Sequence, residues 1–273
     1  MSADKNSYKK SSFGPAFFFL NRRRREALSN YYEFCRRMDD IVDEPNMPEP
    51  AKELDFWQEE ISRVYAHAPQ TDLGKRLLAD IKEFDIPQDR FTLLIEGMRD
   101  DLRGRTYGTF NELDGYIYRV AVIVGLATLD ILGVKGAEAD ALSHELGGAV
   151  QLTNIIRDVP DDASLGRVYL PEELLARHGL TRQDVLAGRG LEQLSCVLAE
   201  ADAKAQRLYA RAFERMKSFP RLKMLPCRTM GYVYFANLAK IRKTGFRFMC
   251  PVKLTKTEKL QGVCYAVFKT VFR

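Results

Sequence analysis

A chain of 273 residues, 46% hydrophobic and 29% charged, holds enough apolar side chains for a sizeable core and is not a disordered segment. Its net charge of +5 is too weak to imply a nucleic-acid partner, although it favours anionic small molecules. Five cysteines without a CxxC spacing and three scattered histidines without an HExxH pair argue against a disulfide framework and a zinc hydrolase, and point to reduced thiols in the cytoplasm.

Residues 1–10 are polar, lack the apolar stretch of a signal peptide and read as a flexible tail. The apolar periodicity then predicts a helix from Arg22 to Asp43, closed by Pro45, Pro48 and Pro50, with the run Arg22 to Arg25 facing solvent at its start. Helices follow over Ala51–His67, Leu73–Phe84 and Pro87–Arg103, the last with proline in its first turn. After a loop at Gly104–Gly108, Asn111–Leu132 reads as a helix stopped by Gly133. The longest apolar run, Val120 to Val134, carries Asp130 and falls short of the roughly 20 residues that a membrane span needs.

Gly136 to about Val159 is the next helix, and Pro160 either kinks it or ends it. A loop Gly166–Pro171 and a short helix ending at Gly179 come before Thr181-Arg182-Gln183-Asp184, which resembles a capping box with Asp in place of the usual Glu. Long helices are expected over Leu191–Lys217 and Met224–Lys243. In residues 254–273, Leu260, Val263, Cys264, Val267, Phe268, Val271 and Phe272 recur at helical spacing beside Lys259, Lys269 and Arg273. That amphipathic helix either packs on its own domain or rests on a bilayer, which leaves peripheral contact with the inner face of a membrane open. With no alternating strands, repeats or linker, residues 1–273 are expected to form one all-α domain, a helical bundle.

Two acidic segments of one design carry the chemistry. The first is Asp39-Asp40-Ile41-Val42-Asp43; the second places Gln151, Asn154, Asp158 and Asp162 on one face of a helix whose other sides are apolar. Positions i, i+3 and i+4 share a helical face, so each segment aims several oxygen atoms the same way. Stacked carboxylates repel unless cations lie between them, and oxygen-only ligands suit magnesium, which keeps waters and holds a phosphate through one or two carboxylates. The metal-ligand candidates are therefore Asp39, Asp40, Asp43, Asn154, Asp158 and Asp162. Arg36 and Arg157, with Arg167 as a third, are candidate cationic partners for a diphosphate held there. Phe13, Phe17, Phe18 and the Val122, Ile123, Val124, Leu126 face are candidate apolar walls of the same pocket.

These segments resemble the squalene/phytoene synthase family. Cys35 to Glu44 resembles its first aspartate motif, Gln151 to Asp158 continuing through Gly166–Pro171 its second, and Ser11-Ser12-Phe13 its substrate-proximal serine–phenylalanine element. Tyr116 to Ala121, followed by Val124-Gly125, resembles its central tyrosine segment; four motifs in order span roughly Ser11 to Lys259. The resemblance implies an all-α isoprenoid-synthase bundle around an apolar pocket, with two or three Mg²⁺ ions between the aspartate helices. It implies head-to-head joining of two isoprenoid diphosphates, in which Asp39, Asp43, Asp158 and Asp162 serve catalysis. Tyr116 and Tyr118 would stabilise the allylic cation or carry a proton, and Ser12, Phe13, Arg36, Gln151, Arg157 and Arg167 would contact substrate. Details of the motifs are most similar to members that stop at the cyclopropyl diphosphate made from two farnesyl diphosphates. Phytoene, dehydrosqualene and complete squalene synthesis remain alternatives, and NADPH is not expected. A terpene cyclase is the rival reading, disfavoured because the second motif spaces its acids four and four.

Overall fold

The computed structural model describes residues 20–44 and 46–271. Helix α1, Arg22–Asp43, opens on Asn21, whose side chain accepts the Arg24 N–H at 2.9 Å and so satisfies one of the amides a helix start leaves unpaired. Its apolar residues fall at spacings of three and four, and Leu28, Tyr31, Phe34, Met38 and Ile41 are buried as one stripe. α2 (Pro50–Tyr65), α3 (Asp72–Phe84) and α4 (Asp89–Leu102) pack around that stripe. Phe34 meets Phe91 of α4 at 5.2 Å between ring centroids and Trp57 of α2 at 6.0 Å, both edge to face, the arrangement aromatic quadrupoles prefer.

The next long apolar stretch is α5 (Phe110–Ile117), a π-helical turn (Tyr118–Val122) and α6 (Ile123–Leu132). At 23 residues it is long and apolar enough to cross a membrane, but it packs between α4 and α7 and buries Ile123, Leu126, Ala127 and Ile131 within the bundle. α7 (Ala137–Ser164) is the central helix. It contacts the π turn, α6, α10 (Leu191–Arg215) and α11 (Leu225–Lys243). The short α8 (Glu172–Arg177) and α9 (Arg182–Leu186) lie between, α9 opening on the Thr181–Asp184 capping box, and α12 (Lys256–Val271) packs on α11. No strand occurs among the described residues, so the all-α expectation holds.

The structure corrects one boundary. α7 runs through Pro160 to Ser164 instead of ending near Val159. A proline inside a helix costs about 3 kcal/mol, chiefly one lost hydrogen bond and a ring clash. Here it falls in the last turn, which is closed beyond it: Leu165 N–H donates to the Asp161 carbonyl at 3.3 Å and Arg167 N–H to that of Asp162 at 2.8 Å. Asp161 and Asp162 therefore remain on the helix.

The π turn opens the backbone ladder, and Ser143 of α7 meets the consequence by donating its hydroxyl to the Val122 carbonyl at 2.7 Å. That approach depends on Gly147, one turn on, where an added Cβ would stand 3.1 Å from the Ala121 carbonyl oxygen and from Val122 backbone atoms. Backbone cannot move aside as a side chain can. Gly147→Val is expected to destabilise the protein by about 1–3 kcal/mol, read as a lower urea midpoint at unchanged slope.

Candidate active site

The C-terminal ends of α1, α4 and α7 converge on one cavity of about 700 Å³. Asp39 and Asp43 come from the last turns of α1, Asp101 from the end of α4, and Asn154, Asp158, Asp161 and Asp162 from the last turns of α7. Leu28, Leu94, Met98, Val124, Leu142 and Leu146, from earlier turns of the same helices and from α6, line the remainder. One end of the chamber is thus acidic and the rest apolar. Helix C-termini carry partial negative charge, so three of them added to these carboxylates make the acidic end strongly cation-seeking.

Arg167 joins the two acidic segments. Its guanidinium donates to Asp43 Oδ1 at 2.7 Å and to the Val42 carbonyl at 2.9 Å, pinning the loop after α7 to the end of α1. Burial, then the charge of Asp158, raises Asp162 to about 7, with Asp101 and Asp43 adding to the shift and Arg167 opposing it. Asp39 is likewise pushed up to about 7 by burial and by Asp43. Asp101 rises to about 6 through burial, although it accepts hydrogen bonds from the hydroxyls of Tyr169 at 2.8 Å and Tyr116 at 2.9 Å. Carboxylates from three helices therefore oppose one another's ionisation.

The residues fit divalent ions. Asn154 Oδ1 is buried without a hydrogen-bond partner although its amide nitrogen bonds Gln151 Oε1 at 3.3 Å, which leaves an oxygen lone pair directed at no protein donor. Among the described residues no group of three or more His, Cys, Asp or Glu side chains is gathered closely enough to hold a metal ion by itself. An ion here would therefore need phosphate and water oxygens to complete its shell, as magnesium does when one or two carboxylates hold it. Asp39, Asp43, Asn154, Asp158 and Asp162 are the residues available to hold it. Asp158 is bound by its neighbour Arg157, whose Nε donates at 2.7 Å.

Without divalent ions the raised carboxylates set an unusual pH dependence. Each takes up its proton in the folded state near pH 6–7 but in the unfolded chain only near the ordinary carboxylate value of about 4. The folded state binds more protons across that interval, so this contribution to stability falls as pH rises from about 4 to 7. Protein stripped with a chelator is expected to melt higher at pH 5.5 than at pH 8, and added Mg²⁺ to raise the pH 8 midpoint most. A flat or inverted profile would count against crowding at this site.

Of the residues expected from sequence, Arg36, Asp39, Asp43, Tyr116, Gln151, Asn154, Arg157, Asp158, Asp162 and Arg167 all line the chamber. Two do not. Asp40 turns aside to pair with Arg36 at 2.6 Å. Tyr118 lies against the His144 ring, 5.2 Å between centroids, because residues two apart on a helix cannot share a face with Tyr116. Of the expected apolar face only Val124 reaches the cavity, joined by Val120 and Ala121, while Val122, Ile123 and Leu126 are buried in the core. Ser12, Phe13, Phe17 and Phe18 lie outside the described residues. Asp101 and Tyr234 went unnoticed in the sequence. For Asp101 a signal existed: Asp100-Asp101 closes an apolar-periodic helix as Asp39-Asp40 does.

An apolar chamber with cation-seeking carboxylates and arginines at one end belongs to the class of helical enzymes that act on prenyl diphosphates. Comparison with known proteins gives the same class. The squalene/phytoene synthase model matches residues 8–260. The chain is 36% identical over 256 residues to the presqualene diphosphate synthase of Rhodopseudomonas palustris, covering 92% of this chain and 90% of that one. It is 32% identical over 270 residues to the chloroplastic phytoene synthase 1 of Solanum lycopersicum, covering 95% of this chain and 65% of the other. Among solved structures, squalene synthase HpnC from Alicyclobacillus acidocaldarius superposes with a TM-score of 0.82 at 29% identity, over 89% of this chain and 91% of that one. A dehydrosqualene synthase in complex with ligand superposes with a TM-score of 0.87 at 26% identity, over 97% of this chain and 94% of that one. The chain belongs to the squalene/phytoene synthase family, prenyltransferases that condense isoprenoid diphosphates.

Proposed function

We propose that the protein joins two farnesyl diphosphates head to head, giving presqualene diphosphate and releasing diphosphate and a proton. The observation that carries this reading is the meeting of the α1 and α7 aspartates, bridged by Arg167, at one end of an apolar chamber. Two or three Mg²⁺ ions, held by Asp39, Asp43, Asn154, Asp158 and Asp162, would neutralise the diphosphate and assist its departure. Arg36, with Arg157 released from Asp158, supplies cationic donors to the diphosphate oxygens as the C1–O bond of one substrate breaks. The allylic cation is captured by the C2=C3 double bond of the second substrate, and loss of one C1 proton closes the cyclopropane ring. Tyr116, its hydroxyl hydrogen-bonded to Asp101, would take up that proton while passing its own to Asp101. Leu94, Met98, Val124 and Leu146 keep water from the cation.

The presqualene diphosphate synthase of R. palustris supports the choice of product. The tomato phytoene synthase and the dehydrosqualene synthase structure support a second reading, carotenoid-type condensation. Purified protein given Mg²⁺ and farnesyl or geranylgeranyl diphosphate, with and without NADPH, separates them by mass spectrometry. The expected product is presqualene diphosphate from the C15 substrate regardless of NADPH. A C40 product alone, or squalene only with NADPH, would overturn the assignment.

A further inference from the structure

Charge is distributed very unevenly along this chain. Residues 219–273 contain twelve Lys and Arg and one acid, Glu258, whereas residues 1–218 contain thirty Lys and Arg against thirty-six Asp and Glu. The mildly basic total therefore conceals an acidic body and a strongly basic C-terminal layer formed by α11, α12 and their connections. Asymmetry of this kind marks a surface for an anionic partner.

The same layer exposes apolar side chains. α12 runs antiparallel to α11: Lys240 pairs with Glu258 at 2.8 Å, and Tyr232 meets Tyr265 edge to face at 4.9 Å, so later residues of one helix face earlier residues of the other. α12 buries Val263, Ala266 and Thr270 and leaves Leu260 and Phe268 60% and 54% exposed, two turns apart on the opposite side. Leu222, just before α11, is 74% exposed, and the antiparallel pairing places it towards the C-terminal end of α12; Met249, in the connection before α12, is 69% exposed. Five of the eight exposed large hydrophobic side chains among the described residues lie between Leu222 and Phe268. Around them Arg221, Lys243, Lys253, Lys256, Lys259 and Lys269 enter no ion pair among the described residues.

We propose that this layer seats the protein on an anionic bilayer, with α12 lying in the interface and Leu222, Leu260 and Phe268 inserted among the acyl chains. Apolar side chains ringed by lysines are the composition of an interfacial helix, and each lysine near an anionic surface adds to binding. A second copy docking by this face would set like charge against like, and a nucleic acid would leave the apolar side chains without a function. The surface also reaches the site. Lys253 is exposed on this layer and lines the chamber, and the inner side of α11 contributes Pro226, Cys227 and Met230 to the chamber wall. A chamber wall next to the bilayer gives a long hydrocarbon chain a short route between lipid and enzyme.

The test is sedimentation of the full chain with phosphatidylcholine vesicles, with and without phosphatidylglycerol, beside a double-stranded DNA control. Binding is expected only with the anionic lipid, and about tenfold less of it at high salt. Leu260→Asp with Phe268→Asp, and separately Lys256→Glu with Lys259→Glu, are each expected to reduce vesicle binding about tenfold or more while leaving the circular dichroism unchanged. None of these residues lines the chamber, so turnover of detergent-dispersed substrate should stay at the wild-type level. Equal vesicle binding by both double variants would overturn the proposal. So would preference for DNA, or a solution dimer dispersed by the Asp variants with no vesicle binding. Vesicle binding is read without turnover, so it stands or falls separately from the proposed reaction.

Discussion

Asp39→Asn and Asp158→Asn, made singly, are each expected to lower kcat by roughly 10³-fold, the scale of losing a major charge-stabilising group in a desolvated site. Asparagine keeps the shape of the side chain, so the chamber and its helices should stand. The two variants should also share a signature that a folding defect cannot produce. Asp39 is held up near 7 by burial and Asp43, and Asp158 is the leading charge acting on Asp162. Removing Asp39 relieves repulsion among the remainder, so Asp39→Asn, free of divalent ions at pH 8, should melt no lower than wild type, whereas Asp158→Asn also takes the charged partner from Arg157 and should melt somewhat lower. In both variants the gain in melting temperature on adding Mg²⁺ should shrink. Turnover within tenfold of wild type in either variant would remove that aspartate from the catalytic set.

Asp101→Asn is expected to cost roughly 10²-fold in kcat with a much smaller change in KM, the range for a group that assists proton movement. Asp101 accepts hydroxyls from Tyr116 and Tyr169, whose rings stack at 5.2 Å, so one carboxylate orients both phenols at the chamber wall. Asparagine offers one acceptor oxygen where there were two, and one phenol must turn. Tyr116→Phe should reproduce most of the loss if Tyr116 is the group that acts, whereas Tyr169→Phe should be milder. The neighbour supplies the control. Asp100 does not line the chamber; it accepts from Arg105 at 3.2 Å and from Arg119 of the π turn, and so ties α4 to that turn. Asp100→Asn should lower stability by about 1–3 kcal/mol, through arginines left without their charged partner, while the folded enzyme keeps its turnover. If the two neighbours gave the same kinetic defect, Asp101 would be a structural residue.

Much of the helix inventory was legible because its signals are local. Prolines at 45, 48 and 50, Gly133 and Gly179, and the Thr181–Asp184 cap each act within a turn of their own position, and α1 and α6 end where those signals place them. The second aspartate face was legible because a fixed spacing of four on a buried helix leaves its polar residues one direction to point. Pro160 was ambiguous for the opposite reason. Whether a proline ends a helix depends on what closes the following turn, and Arg167, which closes it, is anchored to Asp43 on another helix.

Spacing along one helix determines which side chains share a face, so composition, fold class and the two aspartate segments were set by the sequence itself. It does not determine which face meets a cavity, because that depends on neighbouring helices. Only tertiary packing turned Tyr118 onto His144 and left Asp40 to Arg36, and only packing brought Asp101 from α4 beneath the tyrosines of α5 and the loop beyond α7. The same holds for charge. A carboxylate's proton affinity is set by burial and by charges arriving from distant parts of the chain, as Asp43 and Asp101 act on Asp162, and no periodicity encodes that sum.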